Sequence, residues 1–251
     1  LVDQFHRRFS NTTWKEKAMT RVVFITGAPR SGKSTVSKHL LYSAVGKTGC
    51  TSGMVITTSE ALKRAVHSLI GMFNISPDTF ETLKDSPLDS FNGLTPRRAY
   101  IKAYEFGASI FGPAFLGDSI LHRMSSAPSK CLIITDPGRR EEAARVIHEV
   151  GAYNCMHIHI ERGNMHTLNT EGVAYTIPAD GLEDSRFPFQ LNAEGVPTYV
   201  LRNNSTLDQL HARADSIIDE WVQYLSRANP RSGQASALGA SSSGLPTTGE
   251  D

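Results

Sequence analysis

Cysteine is scarce in this chain: Cys50, Cys131 and Cys155 are the only three in 251 residues, widely spaced and without a C-x-x-C pair. That excludes a disulfide framework or a zinc ribbon as the organising device, and a reduced, cytoplasmic setting is expected. Net charge is scarce as well. With 26 Lys and Arg against 25 Asp and Glu, the formal balance is +1. A protein built mainly to coat nucleic acid or an anionic membrane needs many uncompensated cations, so no stable partner of either kind is expected. No run approaches the ~20 apolar residues that cross a bilayer. Arg7, Arg8, Lys15 and Lys17 punctuate an amino terminus with no apolar core of signal-peptide type. The expectation is a soluble, unexported chain, with a homodimer left open.

The length is ample for one large buried core. Residues 1–20 are polar with scattered Phe5, Phe9 and Trp14 and read as an appendage. From Ala228 onward Ser, Gly, Ala, Thr and Pro dominate, and only Leu238 and Leu245 are large aliphatics. Such a segment cannot offset its ordering entropy, so 227–251 is expected to be a disordered tail and 21–226 the folded domain. No internal repeat is visible.

Inside that domain, strand-like and helix-like segments alternate, the signature of an α/β fold with a largely parallel sheet. Strands are predicted at 22–26, 55–58, 131–135, 156–160 and 198–201. Helices are predicted at 33–45, 97–110, 113–124, 139–150 and 207–225. A further helix after the second strand would bury Ala61, Leu62, Ala65, Leu69 and Phe73 on one face and end at Pro77. Residues 78–95 read as loop, followed by Thr95-Pro96 as a helix start with Thr as cap and Pro in the first turn. Residues 161–195 carry no sustained period.

The strongest signal is Gly27-Ala28-Pro29-Arg30-Ser31-Gly32-Lys33-Ser34, a G-x-x-x-x-G-K-[ST] run between a predicted strand and a predicted helix. The glycines let backbone N–H groups turn inward as an anion nest, and the following helix adds its positive dipole end. A nucleoside triphosphate is the expected ligand, cradled by Gly27, Ala28, Arg30, Ser31 and Gly32. Lys33 would reach the β- and γ-phosphates, Ser34 would give a hydroxyl to Mg²⁺, and Thr35 would bond the α-phosphate.

A phosphate loop alone does not separate a kinase from a GTPase or a motor. No guanine-reading N-K-x-D run is present. Arg97, Arg98, Arg139, Arg140, Arg162 and Arg186 fall at predicted helix starts or in 161–195, which favours transfer to a second anion. Moving a phosphoryl group between two polyanions needs cations more than a base, and arginine forks suit that task.

Leu94-Thr95-Pro96-Arg97-Arg98-Ala99, continuing through Gly107 to Phe111-Gly112-Pro113-Ala114-Phe115-Leu116-Gly117-Asp118, resembles a block of the deoxynucleoside monophosphate kinases of tailed bacteriophages and related viruses. Ala61-Leu62-Lys63, Ile133-Ile134-Thr135-Asp136 with Glu142, Ile158 to Arg162, and Asn203-Asn204-Ser205-Thr206-Leu207 are similar to further segments of that family, in its order. Gly138 stands where the family usually has Arg, with Arg139 and Arg140 displaced beside it. The lid signature H-x-S-E has Glu183-Asp184-Ser185 as its nearest match.

The resemblance implies a P-loop NTPase core with a parallel β-sheet flanked by helices, a helical acceptor-binding insertion at about 59–125 and a lid at about 161–195. It implies ATP with Mg²⁺ as cofactor and a deoxynucleoside monophosphate as acceptor. Lys33, Arg97, Asp136, Arg139 and Arg162 are then the expected catalytic residues, and Lys63, Arg97, Arg98, Arg140 and Arg186 the expected acceptor ligands. Asp136 could hold Mg²⁺ through water, orient an arginine, act as base toward a hydroxyl, or cap a helix. Rival readings are a kinase of another small acceptor, whether a phosphomevalonate-like metabolite or a modified base in DNA, and an ATP-binding module without transfer.

His157 and His159 alternate on a strand and share a face. Lacking a third ligand at useful spacing, they are expected to be a packed, hydrogen-bonded pair rather than a metal site. Phe73, Phe80, Phe91, Tyr100, Tyr104 and Phe106 recur at helical spacing, which assigns most of them to the core.

Overall fold

The computed structural model describes residues 20–28, 31–73, 75–124, 130–162 and 193–228. Five strands, β1 (Arg21–Gly27), β2 (Ser52–Thr57), β3 (Lys130–Thr135), β4 (Cys155–Glu161) and β5 (Thr198–Arg202), form one sheet in the order β2-β3-β1-β4-β5. Every pairing is parallel. The central strands read as unbroken apolar runs because helices cover both faces, so neither row of side chains meets water. Val22, Val23, Phe24 and Ile25 are all fully buried.

On one face α1 (Lys33–Lys47) and α7 (Leu207–Ala228) pack Val36, Leu40, Ile218 and Trp221 against Val23, Ile25 and Ile158. On the other, α5 (Phe115–Met124) and α6 (Arg140–Val150) pack Ile120, Val146 and Ile147 against Val22, Phe24 and Ile134. Each such large side chain contributes roughly 1.5–3 kcal/mol on burial. After β1 the chain crosses over α1 toward β2 and β3, and after β3 it crosses over α6 toward β4. The carboxyl ends of β1 and β3 are therefore the switch point of the sheet, where open α/β folds leave a crevice for ligand.

Between β2 and β3 lie α2 (Glu60–Ile70), α3 (Pro77–Thr82) and α4 (Pro96–Phe111), with α5 leading into β3. They have a small core of their own, Val66, Ile70, Phe80 and Tyr100. Three expectations are corrected here. The buried stripe of α2 is Val66 and Ile70, while Leu69 is 62% exposed, because Phe80 and Tyr100 sit against the other side of the helix. Pro77 begins a helix instead of ending one, since Ser76 accepts from the Thr79 amide at 3.1 Å and Pro at the first turn has no amide to lose. The segment 78–95 accordingly holds most of α3 and a short 3-10 turn, Asp89–Phe91. Phe80 and Tyr100 are core as expected, but Phe106 is 68% exposed. Thr95 caps α4 as its sequence indicates, accepting from the Arg98 amide at 3.2 Å.

Most of the expected appendage, of the expected lid and of the expected tail lies outside the described residues, as do Arg30 and Arg186. No described helix is long and apolar enough to cross a membrane.

Candidate functional site

The loop after β1 is shaped by close approaches that only glycine permits. Gly27 has φ 150°, and a Cβ there would stand 2.6 Å from the Ile160 carbonyl and 2.7 Å from Ser31 Oγ. Gly32 has φ 104°, and its Cβ would meet Asn203 Nδ2 at 2.6 Å. Between them the Ser31 amide donates to the Ala28 carbonyl at 3.1 Å, and Asn203 Nδ2 donates to the Ser31 carbonyl at 2.7 Å. The Asn203 amide in turn donates to the Glu161 carbonyl. Asn203 thus braces the loop from the far end of β5. Locally, Asn203 is marked only by its family-like segment; its bracing role is carried by a contact 172 residues distant.

Lys33 opens α1 and curls back over the loop. Its Nζ donates to the Gly27 carbonyl at 2.7 Å and the Ala28 carbonyl at 2.9 Å, and lies 3.2 Å from Asp136 Oδ1. The Lys33 side chain is 11% exposed and that of Asp136 58%. Ser34 and Thr35, also in the first turn of α1, are exposed at the helix end whose free amides favour an anion. Asp136 follows β3 directly. It holds φ 49°, and its amide donates to the Ile25 carbonyl at 3.2 Å, which turns the carboxylate toward Lys33.

The turn after Asp136 is anchored from beneath. Glu142, 1% exposed, accepts from the amides of Gly138 at 3.0 Å and Arg139 at 3.3 Å through one oxygen, Oε2. Its Oε1 is buried without a partner. Burial raises the carboxyl to about 7, against the two amides that favour its charge. The Arg139 guanidinium lies over the Tyr104 ring of α4 at 4.4 Å, an arrangement in which the ring quadrupole attracts the cation. Arg140, one residue on, is exposed.

Among the helices between β2 and β3, two residues expected as acceptor ligands, Lys63 and Arg97, stand against carboxylates. Lys63 pairs with Glu81 at 2.9 Å, and Lys84 pairs with the same group at 3.3 Å. Tyr100 donates its hydroxyl to Glu81 at 2.8 Å, so His67 Nε2, 2.6 Å from that hydroxyl, is the donor to it. Burial alone would raise Glu81, but Lys63, Tyr100 and Lys84 hold it at about 2. Arg97 makes a forked pair with Asp85, at 2.6 and 3.2 Å. Arg98 is exposed on α4, and Arg162 is exposed just beyond β4. The structure therefore brings Lys33 and Asp136 together, sets Arg139 in the same turn, and ties Lys63 and Arg97 to acids in a segment that the sequence presents as loop.

Beside the loop, Thr26 Oγ1 meets His157 Nε2 at 2.7 Å and His159 Nδ1 at 2.9 Å. These histidines are hydrogen-bonded in the core, and burial pushes His157 down to about 4.

The chemistry of the donors suits magnesium, which takes hard oxygen ligands, keeps several waters and leans on substrate phosphates for the rest. Ser34 presents a hydroxyl and Asp136 an accessible carboxylate. Among the described residues, no group of three or more His, Cys, Asp or Glu forms a cage that would hold a metal without the nucleotide.

No family model and no curated protein matches the sequence. Among solved structures, a gluconokinase from Sinorhizobium meliloti 1021 is similar, at 11% identity over 84% of this chain and 99% of its own, with a TM-score of 0.41. A dephospho-CoA kinase from Campylobacter jejuni is similar at 13% identity over 81% of this chain and 98% of its own, TM-score 0.40. A tunicamycin resistance protein from Deinococcus radiodurans gives 12%, 79%, 95% and 0.35 in the same terms.

Proposed function

We propose that the chain is an ATP-dependent phosphotransferase acting on a small acceptor, and specifically on a deoxynucleoside monophosphate. The observation that carries this reading is the cradle itself: a glycine-shaped loop at the switch point of a parallel sheet, with the Lys33 ammonium ringed by two loop carbonyls and Asp136. The resemblance of residues 94–118 to the phage-type monophosphate kinases supports the finer acceptor assignment.

In this mechanism the loop amides and the first turn of α1 bind the triphosphate, while Lys33 exchanges its carbonyl partners for β- and γ-phosphate oxygens. Magnesium, when bound, neutralises charge between those phosphates, with Ser34 and Asp136 the residues that would hold it. Asp136 keeps the Lys33 ammonium aimed at the cradle. Arg139, steadied by Tyr104 and by the Glu142-anchored turn, stands where charge builds on the transferring group, and Arg162 approaches from the end of β4. Arg97 and Arg98, with Lys63, receive the acceptor phosphate, whose oxygens are nucleophilic without a base. To do so Arg97 and Lys63 leave Asp85 and Glu81, so acceptor binding trades carboxylate partners for a phosphate of the same sign.

An acceptor panel with ATP and Mg²⁺ tests the reading. Formation of any deoxynucleoside diphosphate supports it. A phosphorylated metabolite or DNA product moves the acceptor assignment elsewhere, and ATP binding with no transfer to any acceptor removes the enzyme reading.

A further inference from the structure

The cradle holds phosphates, and a nucleoside attached to them has to leave it in one direction. The helices α2 to α4, which carry Lys63, Arg97 and Arg98, branch from between β2 and β3. On the face covered by α1 and α7, a cavity of about 310 Å³ opens beside the loop, lined by Ser34, Thr35, Lys38, His39, Tyr42 and His211. That volume is at the small end of the roughly 300–1,000 Å³ typical of ligand clefts, and it suits a base with its sugar.

All the lining residues except His211 fall on one surface of α1. Ser34, Lys38 and Tyr42 are spaced i, i+4, i+8, and Thr35, His39 and Tyr42 are spaced i, i+4, i+7. The stripe they make runs about 12 Å down the helix, at 1.5 Å per residue, from the end that meets the phosphates. His211 of α7 closes it from the other side, its ring stacked on that of His39 with centroids 4.0 Å apart and an interplanar angle of 3°. Asp215 holds His39 in turn, Oδ1 to Nε2 at 3.0 Å, and farther along the same two helices Lys47 pairs with Asp219 at 2.7 Å. The two imidazoles are therefore fixed in a clamped seam. Tyr42, next to them, is 81% exposed. A phenol ring that buries little, beside a fixed pair of flat rings in a cleft that begins at phosphate-binding hydroxyls, has the composition of a stacking platform. Every nucleobase has a π-face, and aromatic side chains hold it without needing a particular edge.

We propose that the cavity between α1 and α7 receives the nucleoside of the donor triphosphate, with the base packed against Tyr42 and the His39–His211 rings and Lys38 beside the sugar and α-phosphate. Resting on the nucleotide reading of the loop, this site adds the residues that hold the nucleoside. It leaves the helices between β2 and β3 to the acceptor, so the two substrates approach the transferring phosphoryl group without competing for one pocket.

The test compares ATP with inorganic tripolyphosphate, which has the phosphates and no nucleoside, by isothermal titration calorimetry on the full chain with Mg²⁺. The wild type should bind ATP at least about 10-fold more tightly, and Tyr42→Ala and His211→Ala should each weaken ATP about 10-fold, the size expected for a lost base-stacking ring. Tripolyphosphate binding should be unchanged in both. His211→Phe keeps a flat ring and should retain most of the affinity for ATP. Tyr42 is exposed, so Tyr42→Ala gives the readout should His211→Ala fail to fold. ATP bound no more tightly than tripolyphosphate by the wild type, ATP binding untouched in the alanine variants, or equal loss of both ligands overturns the proposal while leaving the phosphate cradle in place. A wild type that binds neither ligand overturns the nucleotide reading, and this site with it.

Discussion

The Lys33 ammonium stands 3.2 Å from the Asp136 carboxylate, across the carboxyl ends of two adjacent parallel strands. The pair links the phosphate loop to the turn that carries Arg139. Lys33→Ala is expected to lower transfer at least ~100-fold, in line with removal of one preorganised charge at a developing anion, with an unchanged circular dichroism spectrum. Asp136→Asn should keep ATP binding within a few fold and lower kcat. Retained turnover in the Lys33 variant would remove the loop from the chemistry.

Arg97 and Asp85 make the second relationship of this kind. Where the acceptor phosphate has to displace Asp85, Asp85→Ala lowers KM for the monophosphate, and Arg97→Ala raises it about 10-fold or more, as loss of a charge-assisted fork predicts. KM for ATP should move in neither. Steady-state kinetics with each substrate varied separately gives the answer, and a change confined to ATP places Arg97 outside the acceptor site.

Gly32 and Asn203 form a steric pair. Gly32→Ala places a methyl group 2.6 Å from Asn203 Nδ2 at φ 104°, which costs on the order of 1–3 kcal/mol of backbone strain and displaces the brace. Asn203→Ala removes the clash but also the bond to Ser31. The two changes are therefore non-additive in urea unfolding, the double variant being more stable than the sum of the singles implies. Strict additivity would show that Asn203 does not brace the loop.

Much of this arrangement is written locally in the chain. The run Val22 to Thr26 followed by Gly27 to Ser34 announces a strand, a glycine-shaped turn and a helix, because each depends on neighbours within a few residues. Thr95-Pro96 announces the start of α4 for the same reason. What the sequence does not show is tertiary. Nothing local says that Glu81 and Asp85 hold Lys63 and Arg97, or that Asn203 reaches Ser31. The stripe of α2 is misread because Leu69 is as apolar as Ile70, and only the position of Phe80 and Tyr100 decides which side is buried. Pro77 reads as a terminator and serves as a first-turn residue because Ser76 before it is free to cap.

Two buried groups give the stability opposite dependences on pH. His157 titrates near 6.5 when unfolded and about 4 when folded. Its contribution is complete above 6.5 and is lost as pH falls through 4, by up to about 3 kcal/mol for a shift of this size. Glu142 titrates near 4.5 unfolded and about 7 folded. Its contribution is complete below 4.5 and is lost as pH rises through 7, by a similar amount of about 3 kcal/mol. Between pH 4.5 and pH 6.5 the two slopes oppose each other and nearly cancel, so the net profile is almost flat and removing either group exposes the slope of the other. Glu142→Gln keeps an acceptor for the Gly138 and Arg139 amides but does not ionise, so it should be more stable than wild type at pH 8 and no more stable at pH 5. His157→Gln should leave the Glu142 slope uncompensated, so that its stability falls from pH 4.5 to pH 7. Urea titrations of both variants from pH 4 to pH 9 settle this: an alkaline limb that survives in Glu142→Gln assigns the loss to another carboxyl and leaves the Arg139 turn without its proposed anchor.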